Sequence, residues 1–308
     1  MMNTQLKYGF KKEFSQFFRK FKLLGIILAI FGFAIANPLM YKLSGVMFSE
    51  MSKMSSMPQT QSSATAVVQN IGSDTQSEAG SDLFGGMGLG DVANMYNNSS
   101  AMFSLSLVSF ASYSLLIIML VMMSAAGGEQ KKRSMIVPMC SGLRFKNYLL
   151  PKFIIYPLSV FILTFLGGMT AGGLCNAIFD YDKISVDMIA LGAVMMAVYV
   201  MFIVTIYLSL GLCTSRPGIM AGTVFIGQLV LDSFLEAAQL TDYQPFTLVE
   251  ASNTIFTAGE DFDLSAKMPS ILTAMGLSIV ICVLMYFLAL GVLNAKKIDN
   301  TEEDKPAF

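Results

Sequence analysis

Between residues 127 and 152 the chain reads GGEQKKRSMIVPMCSGLRFKNYLLPK, a basic stretch between two long apolar runs. It carries Lys131, Lys132, Arg133, Arg144, Lys146 and Lys152 against a single acid, Glu129. A short apolar patch, Met135-Ile136-Val137, is stopped by Pro138. Proline removes a helical hydrogen bond and clashes with the preceding turn. The pattern therefore predicts a short helix over 129–137. Ser141 then caps a second helix that leads into the next apolar run. Lys and Arg accumulate in loops on the inner side of a membrane, so this stretch sets the sidedness of the whole chain. On the residues alone, an ordinary inner loop with interfacial side chains is an equal reading of it.

The flanking runs set the class. Of 308 residues, 54% are hydrophobic and only 13% charged, against roughly 25% charged in soluble domains. About 20 mostly apolar residues make a helix long enough to cross a bilayer. Six runs approach that length, at about 23–43, 102–126, 149–174, 188–213, 218–235 and 271–293. The predicted fold is an all-α integral membrane protein with six transmembrane helices. Residues 23–308 form one six-span domain, preceded by an interfacial helix over 1–22.

That first segment places Leu6, Phe10, Phe14, Phe17, Phe18 and Phe21 at helical spacing, with Lys7, Lys11, Lys12, Arg19 and Lys20 between them. A basic amphipathic helix with aromatic anchors suits the membrane interface. Ala34-Ile35-Ala36 resembles a signal-peptide cleavage site, but the apolar run continues through Met40, so an uncleaved first span is expected.

Charge then orients the spans. The N-terminal segment, the 127–148 loop, the turn with Arg216 and the end with Lys296 and Lys297 are basic. Loops 44–101, 175–187 and 236–270 carry more acids than cations. Six spans put all basic segments on one side, so both termini are expected to be cytoplasmic. Loop 44–101 is rich in Ser, Met, Gly, Gln and Asn and reads as flexible. Met47, Met51, Met54 and Met57 recur at helical spacing, extending span one outward as packing surface rather than as a copper site.

Catalytic chemistry is not signalled. There is no histidine, no GxxxxGK[ST] phosphate loop and no GxSxG or HExxH motif. The chain is therefore not expected to act as an enzyme, to hydrolyse ATP itself or to hold a metal or cofactor. The four cysteines form no CxxC pair and read as buried apolar residues. Ionisable groups inside spans cost about 2.5–3.5 kcal/mol each and are functional candidates. Gln228, Asp232 and Glu236 form such a stripe on the fifth run. They either line an outward path or serve packing and outer water. The serines of span two and the Gly168–Gly172 pair of span three read as close helix packing.

The order of these parts resembles the permease subunits of type-2 ABC transporters (the ABC-2 family). A basic leader, span one, a large outer loop and span two come first. Then follow Gly128-Glu129, a basic stretch and an apolar piece ending at Pro138. Lys131-Lys132-Arg133-Ser134 departs from the family's usual acidic and Gly-Thr residues at this point. The resemblance implies coupling to an ATPase through Glu129, Lys131, Lys132, Arg133, Met135, Ile136, Val137 and Pro138. The cations after Ser141 are expected to meet lipid headgroups rather than the ATPase. The resemblance also implies short outer re-entrant helices within 237–265. It further implies a second permease chain, contact with membrane lipids, no nucleic-acid partner, and ATP with magnesium on a separate ATPase chain. The expected location is a bacterial-type plasma membrane, and the expected role is export. An ion- or proton-driven transporter using Asp232 and Glu236, and a non-transport membrane scaffold or sensor, are the alternatives.

Overall fold

A computed structural model describes residues 2–19, 22–55, 98–128, 145–214, 216–237, 244–257 and 264–303. Among these every regular element is helical. The amphipathic leader forms α1 (Met2–Arg19), and span one forms α2 (Lys22–Ser55), which continues past residue 43 as the methionine spacing predicts. Span two is composite. It comprises α3 (Ser99–Ser109), a π-helical turn (Phe110–Ser114), α4 (Leu115–Met122) and a second π-helical turn (Ser124–Gly128). Then come α5 (Phe145–Ile178), α6 (Val186–Cys213), α7 (Pro217–Ala237), α8 (Thr247–Thr257) and α9 (Leu264–Glu303).

Five of these stretches are long and apolar enough to cross a membrane: Lys22–Met47, Ser99–Met122, Lys146–Ile178, Val186–Cys213 and Ala266–Ala295. The fifth expected run forms α7, a helix of 21 residues, about 31 Å long. Its apolar stretch among the described residues is Pro217–Leu231, followed by Asp232.

The core is built around α6, whose side chains are buried along most of its length, from Ile189 to Leu212. It packs mainly against α5 and α9. The Gly168–Gly172 pair explains the first contact. A Cβ on Gly168 would sit 2.8 Å from the Ala193 Cβ, and one on Gly172 would run into Ile189. Bare backbone on α5 thus lets α6 approach closely. The span-two serines also act as packing groups. Ser104 bonds to Asn253 of α8, and Ser109 Oγ lies 2.7 Å from the Tyr41 hydroxyl of α2.

α8 lies inside the range where short outer helices are expected. Phe246, just before it, meets Tyr199 and Phe202 of α6 at 6.1 Å between ring centroids. Phe256 at its other end meets Phe103 at 4.9 Å, and its ring faces Gly192. The ten residues from Phe246 to Phe256 therefore match seven to ten residues back along α6, a rise of about 10–15 Å. α8 runs along the half of α6 nearer Val186.

Candidate functional site

The described residues converge on one polar node, at the end of the bundle where α1 lies. Its seat is a stripe on α1 made of Gly9, Glu13 and Phe17. These positions recur every four residues and share one helix face. A Cβ on Gly9 would sit 2.9 Å from the Asn147 carbonyl and 3.2 Å from Pro151, so α1 rides directly on the start of α5. Phe17 is buried and meets Tyr156 edge-on at 5.4 Å. Phe14 and Phe18 point away, 56% and 52% exposed, and leave an aromatic pair for the membrane interface.

Glu13 sits between these contacts and is buried, 2% exposed. Lys152 of α5 is wholly buried and its Nζ lies 3.8 Å from Glu13 Oε1. That separation is an ion pair but too long for a hydrogen bond, and Oε1 has no hydrogen-bond partner among the described residues. Tyr156 donates its hydroxyl proton to Glu13 Oε2 at 3.4 Å, and Lys22 Nζ donates to Tyr156 Oη at 3.1 Å. Lys152 also lies over the Tyr148 ring, 4.7 Å from its centroid, while Lys22 lies over Tyr156 at 5.3 Å. α1 and α5 are thus joined through one carboxylate, and α2 is tied to it through the Tyr156 hydroxyl.

The lower end of span two enters the same node. Lys152 Nζ donates to the Ala125 carbonyl at 3.3 Å. Ala125 belongs to the second π-helical turn, where the regular ladder is widened and carbonyls are released to other donors. Two residues later Gly127 takes φ +147°, a conformation that side chains rarely adopt. A Cβ there would run into the Gly211 carbonyl of α6, and a Cβ on Gly211 would run into the Ala126 carbonyl. Spans two and four therefore touch backbone to backbone where the chain leaves for residues 129–144.

The predicted coupling residues Glu129, Lys131, Lys132, Arg133, Met135, Ile136, Val137 and Pro138 lie outside the described residues. Both ends of their segment are held by the node. The expectation that the cations after Ser141 all meet lipid headgroups is corrected at Lys152. Its side chain is buried against Glu13, whereas Lys146 is exposed. Glu13 itself escaped the sequence reading. Its signal is that it is the only acid before Glu50, on a helix otherwise decorated with cations.

The α7 stripe is more dispersed. Gln228 is buried and accepts from the Tyr199 hydroxyl at 3.5 Å, a weak bond across to α6. Asp232 and Glu236 fall on the last turns of α7, and their side chains are outside the described ones. No cluster of three or more potential metal ligands occurs among the described residues. No protein-family model, curated protein or solved structure matches the chain.

Proposed function

We propose that this chain is the membrane-spanning permease subunit of an ATP-driven exporter, working with a second permease chain and a separate ATPase. In this reading α7 is the fifth of six spans, both termini are cytoplasmic and the host membrane is a bacterial-type plasma membrane. One observation carries it. The segment 129–144 leaves from Gly127, which is locked to α6, and returns into α5 seven residues before Lys152, which is locked to α1. Anything that displaces the segment therefore displaces α1 and three spans together. A partner that closes on ATP needs that linkage in order to reshape a membrane path. The placement of α8 along the outer half of α6 agrees with the same reading.

Purification of the tagged chain from its native membrane is expected to recover an ATPase. Ile136→Ala and Glu129→Ala are expected to lower transport per ATP hydrolysed while leaving the complex assembled. If no ATPase associates and the purified membranes have no ATP-dependent activity, the reading fails.

A further inference from the structure

α1 has two unlike faces. The face toward the bundle is the Gly9–Glu13–Phe17 stripe that rides on α5. On the other side Lys7, Lys11, Phe14 and Phe18 are exposed. Their spacing of four, three and four residues keeps them within an arc of about 60°. They form one straight stripe roughly 16 Å long, and its order is two cations followed by two aromatic rings. Charge on this face is unopposed. Glu13 is the only acid of α1, and it is turned to the bundle and buried beside Lys152. Tyr8 and Ser15, exposed along one edge of the stripe, bring hydroxyls and no charge. Lys146, exposed one residue before the Asn147 carbonyl that Gly9 rests on, adds to the positive field.

Each half of the stripe suits a different part of one molecule. Lys7 and Lys11 are one turn apart, about 6 Å along the axis, so both ammonium groups can reach a single phosphate. Their stems can lie along apolar surface and deliver the charge to headgroup level. The Phe14 and Phe18 rings lie 4.5 Å apart, and Phe17 meets Phe18 edge-on at 5.9 Å. Phe18 is thus propped from behind by the residue that anchors α1 to Tyr156. An interfacial helix binds through its buried apolar area and through attraction to anionic lipids. On α1 these two contributions are separated along the axis, and the aromatic end is the one that precedes α2.

We infer that the Lys7–Phe18 stripe is a binding site for one anionic phospholipid of the leaflet at the α1 end of the bundle. Its phosphate is held between Lys7 and Lys11, and the first part of its acyl chains lies on the Phe14–Phe18 pair. Charge complementarity selects a net-anionic headgroup, because choline or ethanolamine would bring its own cation against the two lysines. The bound lipid presses α1 onto α5 from the side opposite Glu13, so the polar node is held from both faces of the helix. The site goes beyond the exporter reading and stands without it.

The chain contains no tryptophan, so Phe18→Trp places a single reporter at the aromatic end of the stripe. The full chain, with whatever subunits co-purify, is placed in phosphatidylcholine nanodiscs. A fixed fraction of the lipid is then replaced by dibrominated phosphatidylglycerol or by dibrominated phosphatidylcholine, and quenching of the reporter is compared. The unsubstituted complex supplies the background emission of any other subunit. Phosphatidylglycerol is expected to bind about ten-fold better than phosphatidylcholine at the reporter. Lys7→Gln/Lys11→Gln is expected to bring the two lipids to near equality, and Lys7→Arg/Lys11→Arg to keep the preference. Ile162→Trp, on the exposed side of α5, is expected to show no preference. Phe14→Trp replaces Phe18→Trp if the latter loses its thermal transition. Three results would each overturn the inference. They are equal quenching by the two brominated lipids at the stripe, a preference unchanged in the double Gln variant, and a preference abolished by excess inorganic phosphate. The last would make the stripe a site for a soluble anion rather than a lipid.

Discussion

At the scale of single residues, Lys152 and Glu13 test the node most directly. Removing one member of a buried ion pair leaves the other charge without compensation and costs about 3–5 kcal/mol. Lys152→Met is expected to destabilise the folded chain by that order, read as a lowered midpoint for thiol-dye uptake by buried Cys175. The double variant Glu13→Gln/Lys152→Met removes both charges and is expected to recover much of the loss, giving a coupling of about 1–3 kcal/mol in the cycle. Strictly additive effects would show that the two side chains do not interact. The glycines make a second test. Gly211→Val places a side chain against the Ala126 backbone and is expected to abolish folded protein on size-exclusion chromatography, whereas Gly291→Val meets open space on α9 and is expected to be silent. The residue level was partly legible in advance. The i, i+4 glycines of α5 carry their packing role in their spacing. Glu13 does not, because a lone acid on a cationic helix reads as solvated until α5 is brought over it.

At the scale of elements, helices announce themselves and their irregularities do not. Long apolar runs sufficed to place α2, α5, α6 and α9, since bilayer-crossing length is a property of composition. The two π-helical turns of span two leave no comparable mark. A π-helical turn adds a residue to a helix without altering its hydrophobicity. The interfacial helix was legible as a helix, but not in its orientation, because an all-round aromatic pattern hides which phenylalanine is buried. Deleting Ala111 is expected to close the first π-helical turn into regular α-helix and leave α4 facing as it does, because the wide turn absorbs one extra residue. Ile118, Met119 and Met122, now fully buried, would then stay in the core. Retained folded protein is the expected outcome, read from expression and thermal stability. A deletion variant that fails to fold would mean that the turn does more than absorb one residue.

At the scale of the whole molecule, the structure has one tied end and one looser flank. α6 is enclosed by its neighbours, whereas α9 and the far side of α7 present Ile279, Val280, Val283, Leu284, Phe287, Leu229, Val230 and Phe234 outward. That apolar coat was legible as membrane surface. The enclosure of α6 was not, because a buried helix and a lipid-facing one both read as apolar in sequence.

The place of Asp232 on α7 has a consequence for the surrounding lipid. It is the sixteenth residue of a 21-residue helix, so a carboxylate enters after about 22 Å. Hydrocarbon roughly 30 Å thick must dip to leave a charge at that depth in water, at a cost of fractions of a kcal/mol per Å. The bilayer beside α7 is therefore expected to be thinned on the side where Asp232 and Glu236 begin. Melting of the chain in nanodiscs of graded acyl length reports this. Shorter chains are expected to raise the midpoint, and a steady rise with longer chains would show that α7 imposes no such deformation.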